Sequence, residues 1–259
     1  MADLRNYQAR TATVGSRADA AIDEGLRSYM LRVYNLMALG LAITGVAALG
    51  TVSLATTGDP SAAVAALGNG KLLTSFGAAI YGSPLRWVVM LAPLAAVFFL
   101  SFRVHKMSVA AAQATFWAYA ALVGISLSSI FLVYTTGSIV QTFFITAASF
   151  GALSLWGYTT KRDLSGMGSF LFMGLIGLII AMVVNIFLAS SALQFAISGI
   201  GVLIFAGLTA YDTQQIKEMY YEGDGTLVAG RKAIMGALRL YLDFINLFMF
   251  LLQFLGNRE

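Results

Sequence analysis

LRLYLDFINLFMFLLQFLG, residues 238–256, is apolar enough to lie in lipid and carries an aspartate, Asp243, inside it. A run of about 20 apolar residues matches the ~30 Å hydrocarbon core of a bilayer. Within that core a helix satisfies its own backbone hydrogen bonds. An ionised carboxylate at the centre of such a helix costs about 2.5–3.5 kcal/mol, which something must offset. At about 100° per residue, Arg239, Asp243, Asn246, Phe250 and Gln253 fall on one narrow stripe. A polar stripe on an apolar helix faces protein or water rather than lipid. This helix therefore belongs in a bundle.

The rest of the chain supplies one. Of 259 residues, 59% are hydrophobic and 11% charged, and the mean hydropathy is +0.80. Soluble domains carry about 25% charged residues. Seven apolar runs stand near 33–55, 86–104, 109–134, 138–158, 169–190, 193–214 and 233–254. Each is long enough to span, so the fold class is an all-α membrane protein with seven transmembrane helices. Pro93 in the second run predicts a kink or tilt. TTGS at 135–138 and ASSALQ at 189–194 are short enough to force antiparallel neighbours. The long connection 56–85 is rich in small residues and carries no clear element. Gly40, Gly45 and Gly50 in the first run, and Gly174 and Gly177 in the fifth, predict close helix packing. The first 27 residues are polar, lack the apolar core of a signal peptide, and are expected to form a mobile tail ahead of a membrane domain at 28–259.

Charge sets the orientation. With the amino terminus in the cytoplasm, thirteen of the sixteen Lys and Arg residues fall on the inner side. Lys71, Arg86 and Arg258 fall outside, as the positive-inside rule requires. The same asymmetry accounts for a pI near 9.4 without nucleic acid. A cell inner membrane is the expected location. Cysteine is absent and His105 is the single histidine, which excludes thiolate chemistry and histidine-cluster metal sites. There is no P-loop or dinucleotide fingerprint, and no lysine in the last run to hold retinal. Ser126 in GISLSSIF has no base but His105, which sits in a loop. The chain does not read as an enzyme, and no tightly bound cofactor is expected.

Two of the twelve acidic residues lie in or at the edge of apolar runs: Asp243, and Asp212 in FAGLTAYDTQQIKEMY. Each has a plain explanation. Asp212 can mark the water interface, with Lys217 nearby. Asp243 can pair with Arg239 one turn away, which neutralises it for insertion. The alternative is that the two aspartates meet. The sixth and seventh runs are consecutive, and both carboxylates lie in the inward half. Two carboxylates in a low-dielectric site share a proton and titrate as a unit, which makes a pH sensor. When both are ionised they attract a hard cation. Ca²⁺ takes about six to eight oxygens, so two aspartates provide transient coordination only. Arg103, Lys106 and Arg239 are the candidate cations that compete for the pair. Asn185, Asn246, Gln215 and Gln253 are the candidate polar groups along a pore.

AYDTQQIKEMY followed by LRLYLDFINLFMFLLQFLG resembles the closing signature of the transmembrane Bax-inhibitor-motif family, bacterial branch. NIF at 185–187 and the seven-run layout fit as well. The resemblance covers the membrane portion and is weakest in the tail and the 56–85 connection. It implies six helices around a central seventh. It also implies a pH-sensitive Ca²⁺ leak governed by a di-aspartyl unit, by position Asp212 and Asp243. In that family a basic residue ending the second helix pairs with the dyad in the closed state, which points to Arg103 or, one turn on, Lys106.

The leading expectation is thus a Ca²⁺ leak channel gated by protonation, in which ionisation of the pair opens the route and protonation shuts it. Its partners are the bilayer, Ca²⁺ and H⁺. Two alternatives stand beside it: a non-conducting regulator of a membrane protease or stress pathway, acting on another membrane protein, and a proton-coupled cation exchanger.

Overall fold

The computed structural model describes residues 2–258, with side chains described from residue 24 onward. Each apolar run becomes one helix. These are α1 (Ala2–Ala55), α2 (Leu85–Arg103), α3 (Val109–Leu127), α4 (Thr136–Thr159), α5 (Ser165–Leu188), α6 (Ser191–Glu218) and α7 (Thr226–Leu255). All seven are long and apolar enough to cross a membrane, α1 through its portion Glu24–Ala55. The ends of α6 and α7 run past their apolar cores, because a helical ladder continues into water at no cost to its backbone. The side chains of the polar tail, up to residue 23, lie outside the described residues.

Local chemistry sets the starts. Ser108 accepts from the Ala111 N–H at 3.2 Å, Thr135 from Ser138 at 3.2 Å and Ser190 from Leu193 at 3.3 Å. Each is an N-cap that satisfies a donor the helix leaves free. The α5–α6 turn is closed by Asn185. Its carbonyl takes the Ala189 N–H at 2.8 Å and its side-chain oxygen takes the Ser190 N–H at 3.0 Å. Ala189 reverses the chain in the left-handed region, at φ 46°. Helix α2 continues through Pro93.

The 56–85 connection is not featureless. It forms three two-residue strands, β1 (Thr56–Thr57), β2 (Ala65–Ala66) and β3 (Leu72–Leu73), antiparallel in the order β1-β3-β2. A helical turn at 75–82 follows. Strands of two residues leave no periodicity to read. The connection is tied down just past the carboxyl end of α3. Asn69 donates to the Leu132 carbonyl at 2.8 Å and Lys71 to that of Phe131 at 2.6 Å. Tyr81 and Ser128 share a hydrogen bond at 2.7 Å.

Helix α7 packs against α1, α3, α4 and α6, whereas α2 packs on α3 and α5 on α6. Burial follows the same order: 67% of the apolar window of α7 is buried, against 11% for α2 and for α5. Helix α7 runs the full height of the bundle. Near its start, the Arg231 guanidinium donates to the Met107 carbonyl at 2.8 and 2.5 Å, below the first residue of α3. Just past its end, Asn257 bonds Thr135 and Ser138 beyond the last residue of α3.

Buried hydroxyls join the helices. Thr44 on α1 donates to the Ala120 carbonyl of α3 at 2.9 Å and meets the Tyr241 hydroxyl of α7 at 2.6 Å. Tyr34, Ser154 and Thr213 link α1, α4 and α6 at 2.7 and 2.9 Å. The glycines do less than their spacing predicts. Gly45, Gly50 and Gly177 face open space, while Gly40 and Gly174 face side chains. Close backbone approaches lie at other glycines: a Cβ on Gly157 would collide with the Ala210 carbonyl oxygen, and one on Gly124 with that of Thr44.

Candidate functional site

Helix α5 lies along α6 and stands off α7. The space left between α5 and α7, floored by α6, is a cleft of about 1020 Å³. Its α7 wall carries Arg239, Asp243, Asn246, Phe250 and Gln253, every member of the stripe that the helical period predicts. Asp212 and Tyr211 project into it from α6. The α5 wall is apolar, with Phe172, Leu175, Ile179 and Met182.

The two aspartates come together here. Asp212 and Asp243 are side-chain neighbours within hydrogen-bonding reach, joined across α6 and α7. Asp243 is only 5% exposed, and its Oδ2 is buried with no hydrogen-bond partner. Two carboxylates can hydrogen-bond each other only if one carries a proton. Burial of an unpaired charge is costly, so Asp243 depends on the groups beside it. The contrast with Asp163 in the α4–α5 loop is direct. There the Ser165 hydroxyl and backbone N–H hold the carboxyl below the usual carboxylate range.

Arg239 is exposed within the cleft and lies in electrostatic range of both carboxylates. Among the described residues it forms no direct ion pair with either; the pair that does form is Lys232–Asp224. The same-helix Arg239–Asp243 bridge is thus not made. Lys217 is not Asp212's partner either, since its ammonium donates to the Tyr158 carbonyl at 2.9 Å. Arg103 and Lys106 are exposed and absent from the cleft. The Arg103 guanidinium lies over the Phe99 ring at 6.0 Å. The turn that follows it packs on the first part of α7, near Arg231. Asp243 stands twelve residues further along, about 18 Å of helix rise.

The other polar candidates separate. Asn246 and Gln253 line the cleft. Gln215 does not, and its amide donates to Glu218 at 3.1 Å. The neighbouring Gln214 is buried and clamps the α4–α5 loop, donating to the Arg162 carbonyl at 2.8 Å and accepting from the Leu164 N–H at 2.9 Å. Asn185 joins an amide ladder at the end of the cleft near the α5–α6 turn. It donates to Gln194 at 3.1 Å, Gln194 donates to Gln253 at 3.0 Å, and Ser198 donates to the same Gln253 oxygen at 3.2 Å. Gln194 and Ser198 escape a sequence reading because one falls in the ASSALQ stretch read as a turn and the other beside small residues. Their signal is the four-residue spacing, which puts both on one face of α6.

Among the described residues no three His, Cys, Asp or Glu side chains gather. A cation at the pair would therefore draw its remaining ligands from amides, carbonyls or water. Ser126 and His105 stand at opposite ends of α3, about 25 Å apart along the helix.

The family model described as inhibitor of apoptosis-promoting Bax1 matches residues 26–259. Protein RP147 of Rickettsia prowazekii is 49% identical over 250 residues, covering 96% of this chain and 98% of its own length. A protein of Caulobacter vibrioides is 47% identical over 262 residues, covering all of both chains. The inner membrane protein YbhL of Escherichia coli is 53% identical over 173 residues, covering 66% of this chain and 74% of its own. The chain belongs to the Bax inhibitor family of multi-pass membrane proteins.

Proposed function

We propose that this protein is a calcium leak channel whose traffic is controlled by protonation of the Asp212–Asp243 pair. The observation that carries the reading is the cleft itself: two neighbouring carboxyl groups, one of them buried with an unpartnered oxygen, beside a polar stripe that runs along the last helix. Ionised, the pair holds a cation. Protonated, it loses the charge that does so. Cation affinity in the cleft therefore falls as the pH falls. Passage needs release as well as capture, so titration of the pair controls how flux responds to pH. Arg239 shares the cleft and competes with the cation for the carboxylates.

In this reading the amino terminus is cytoplasmic, the membrane is the cell's inner membrane and no covalent chemistry is performed. The separation of Ser126 from His105 supports the last point. The test is Ca²⁺ flux into liposomes at several pH values, for the parent and for Asp212→Asn and Asp243→Asn. Loss of the pH response in both variants supports a channel. Undetectable flux in the parent at every pH supports a regulator, and saturable counter-movement of protons supports an exchanger.

A further inference from the structure

The cleft is larger and greasier than a path for a hydrated metal ion needs. At about 1020 Å³ it lies at the upper end of the size range of small-molecule sites. Its polar groups are few and lie mainly on α7 and the adjoining α6 floor, while the facing α5 wall is apolar apart from Ser169. Aromatic faces flank it: Tyr211, Phe172 and the stacked pair Phe205–Phe250, with ring centroids 5.7 Å apart. Aromatic faces attract cations, most strongly those with little hydration to lose. Met182 and Met249 give the lining side chains that adapt to irregular shapes.

Charge then selects the ligand. Asp212 and Asp243 contribute two negative charges at most and Arg239 one positive, so the cleft carries a net charge of minus one when fully ionised. That single net charge is enough to hold a monovalent cation. Asp243 lines the same space, and its Oδ2 is buried without a hydrogen-bond partner.

We infer that the cleft binds a hydrophobic organic monocation, its charge on the Asp212–Asp243 pair and its apolar groups against α5. Such a ligand enters from the bilayer between α5 and α7, where the two helices do not close on each other. The inference rests on the pair being an ionisable cation site, as the proposed function does, but it does not require that anything be conducted.

Tetraphenylphosphonium is the probe, measured by equilibrium dialysis against the purified full chain at pH 8, with tetraphenylborate as the anion of the same shape. Saturable binding of about one phosphonium per chain is expected, with no saturable binding of the borate. Asp243→Asn is expected to weaken the phosphonium at least about tenfold. Ile179→Trp fills the apolar wall away from the carboxylates. It is expected to weaken the phosphonium as well while leaving the melting temperature unchanged, since Ile179 is exposed. Non-saturable phosphonium binding, equal binding of the borate, or binding unaffected by either substitution overturns the inference. If phosphonium binding behaves as expected while Asp243→Asn keeps the parent's pH-dependent Ca²⁺ flux, the ligand site stands and the channel reading fails.

Discussion

Asp243 sits where an unpaired charge is hardest to keep, and its surroundings decide its behaviour. Asp212 lies within hydrogen-bonding reach, Arg239 shares the cleft, and no donor reaches its Oδ2. Arg239 lines the cleft with the pair, and Arg103 does not. Arg239→Gln is therefore expected to raise Ca²⁺ affinity at pH 8 by about tenfold, because it removes one opposing charge from a poorly screened site. Arg103→Ala is expected to leave that affinity unchanged. Isothermal titration on both variants checks this, and an equal effect of the two would return Arg103 to the site. The stripe and the two aspartates were legible in the sequence, since a carboxylate in an apolar run is conspicuous and helical spacing places its neighbours. The roles of Gln214 and Gln215 were not, because one residue turns a side chain by about 100° and only packing says which of the two faces inward. Thr44 and Tyr241 were equally silent. A hydroxyl in a span usually bonds its own helix, and Thr44 does so too, to the Gly40 carbonyl.

Helices meet where side chains allow it. The α4–α6 contact depends on Gly157, whose missing Cβ leaves room for the Ala210 carbonyl. Gly157→Ala is expected to cost about 1–3 kcal/mol by overpacking, read as a lower melting temperature in detergent. Gly45→Ala, at a position facing open space, is expected to leave it unchanged. The reverse order would place the close approach elsewhere. Glycine spacing alone did not separate these two positions, because it records which residues are small and not which face meets a partner. Apolar length, by contrast, was enough to find all seven helices, since lipid leaves a spanning segment few options. The small sheet in the 56–85 connection escaped because its strands are too short for a period.

At the scale of the whole molecule, α5 standing off α7 creates the cleft, and neither helix shows this on its own. Orientation is the other property of the whole. The absence of cysteine makes single-cysteine labelling clean. With the amino terminus inside, Ala62→Cys is expected to react with a membrane-impermeant maleimide from outside intact cells, and His105→Cys only after permeabilisation. The opposite pattern would invert the topology. The central claim, that the aspartate pair ties cation passage to pH, is tested most directly by Ca²⁺ flux into liposomes holding the purified protein, compared between pH 6 and pH 8. The parent's rate is predicted to change with pH, and the rates of Asp212→Asn and Asp243→Asn to be the same at both values. Variants that follow the parent's pH response would contradict it.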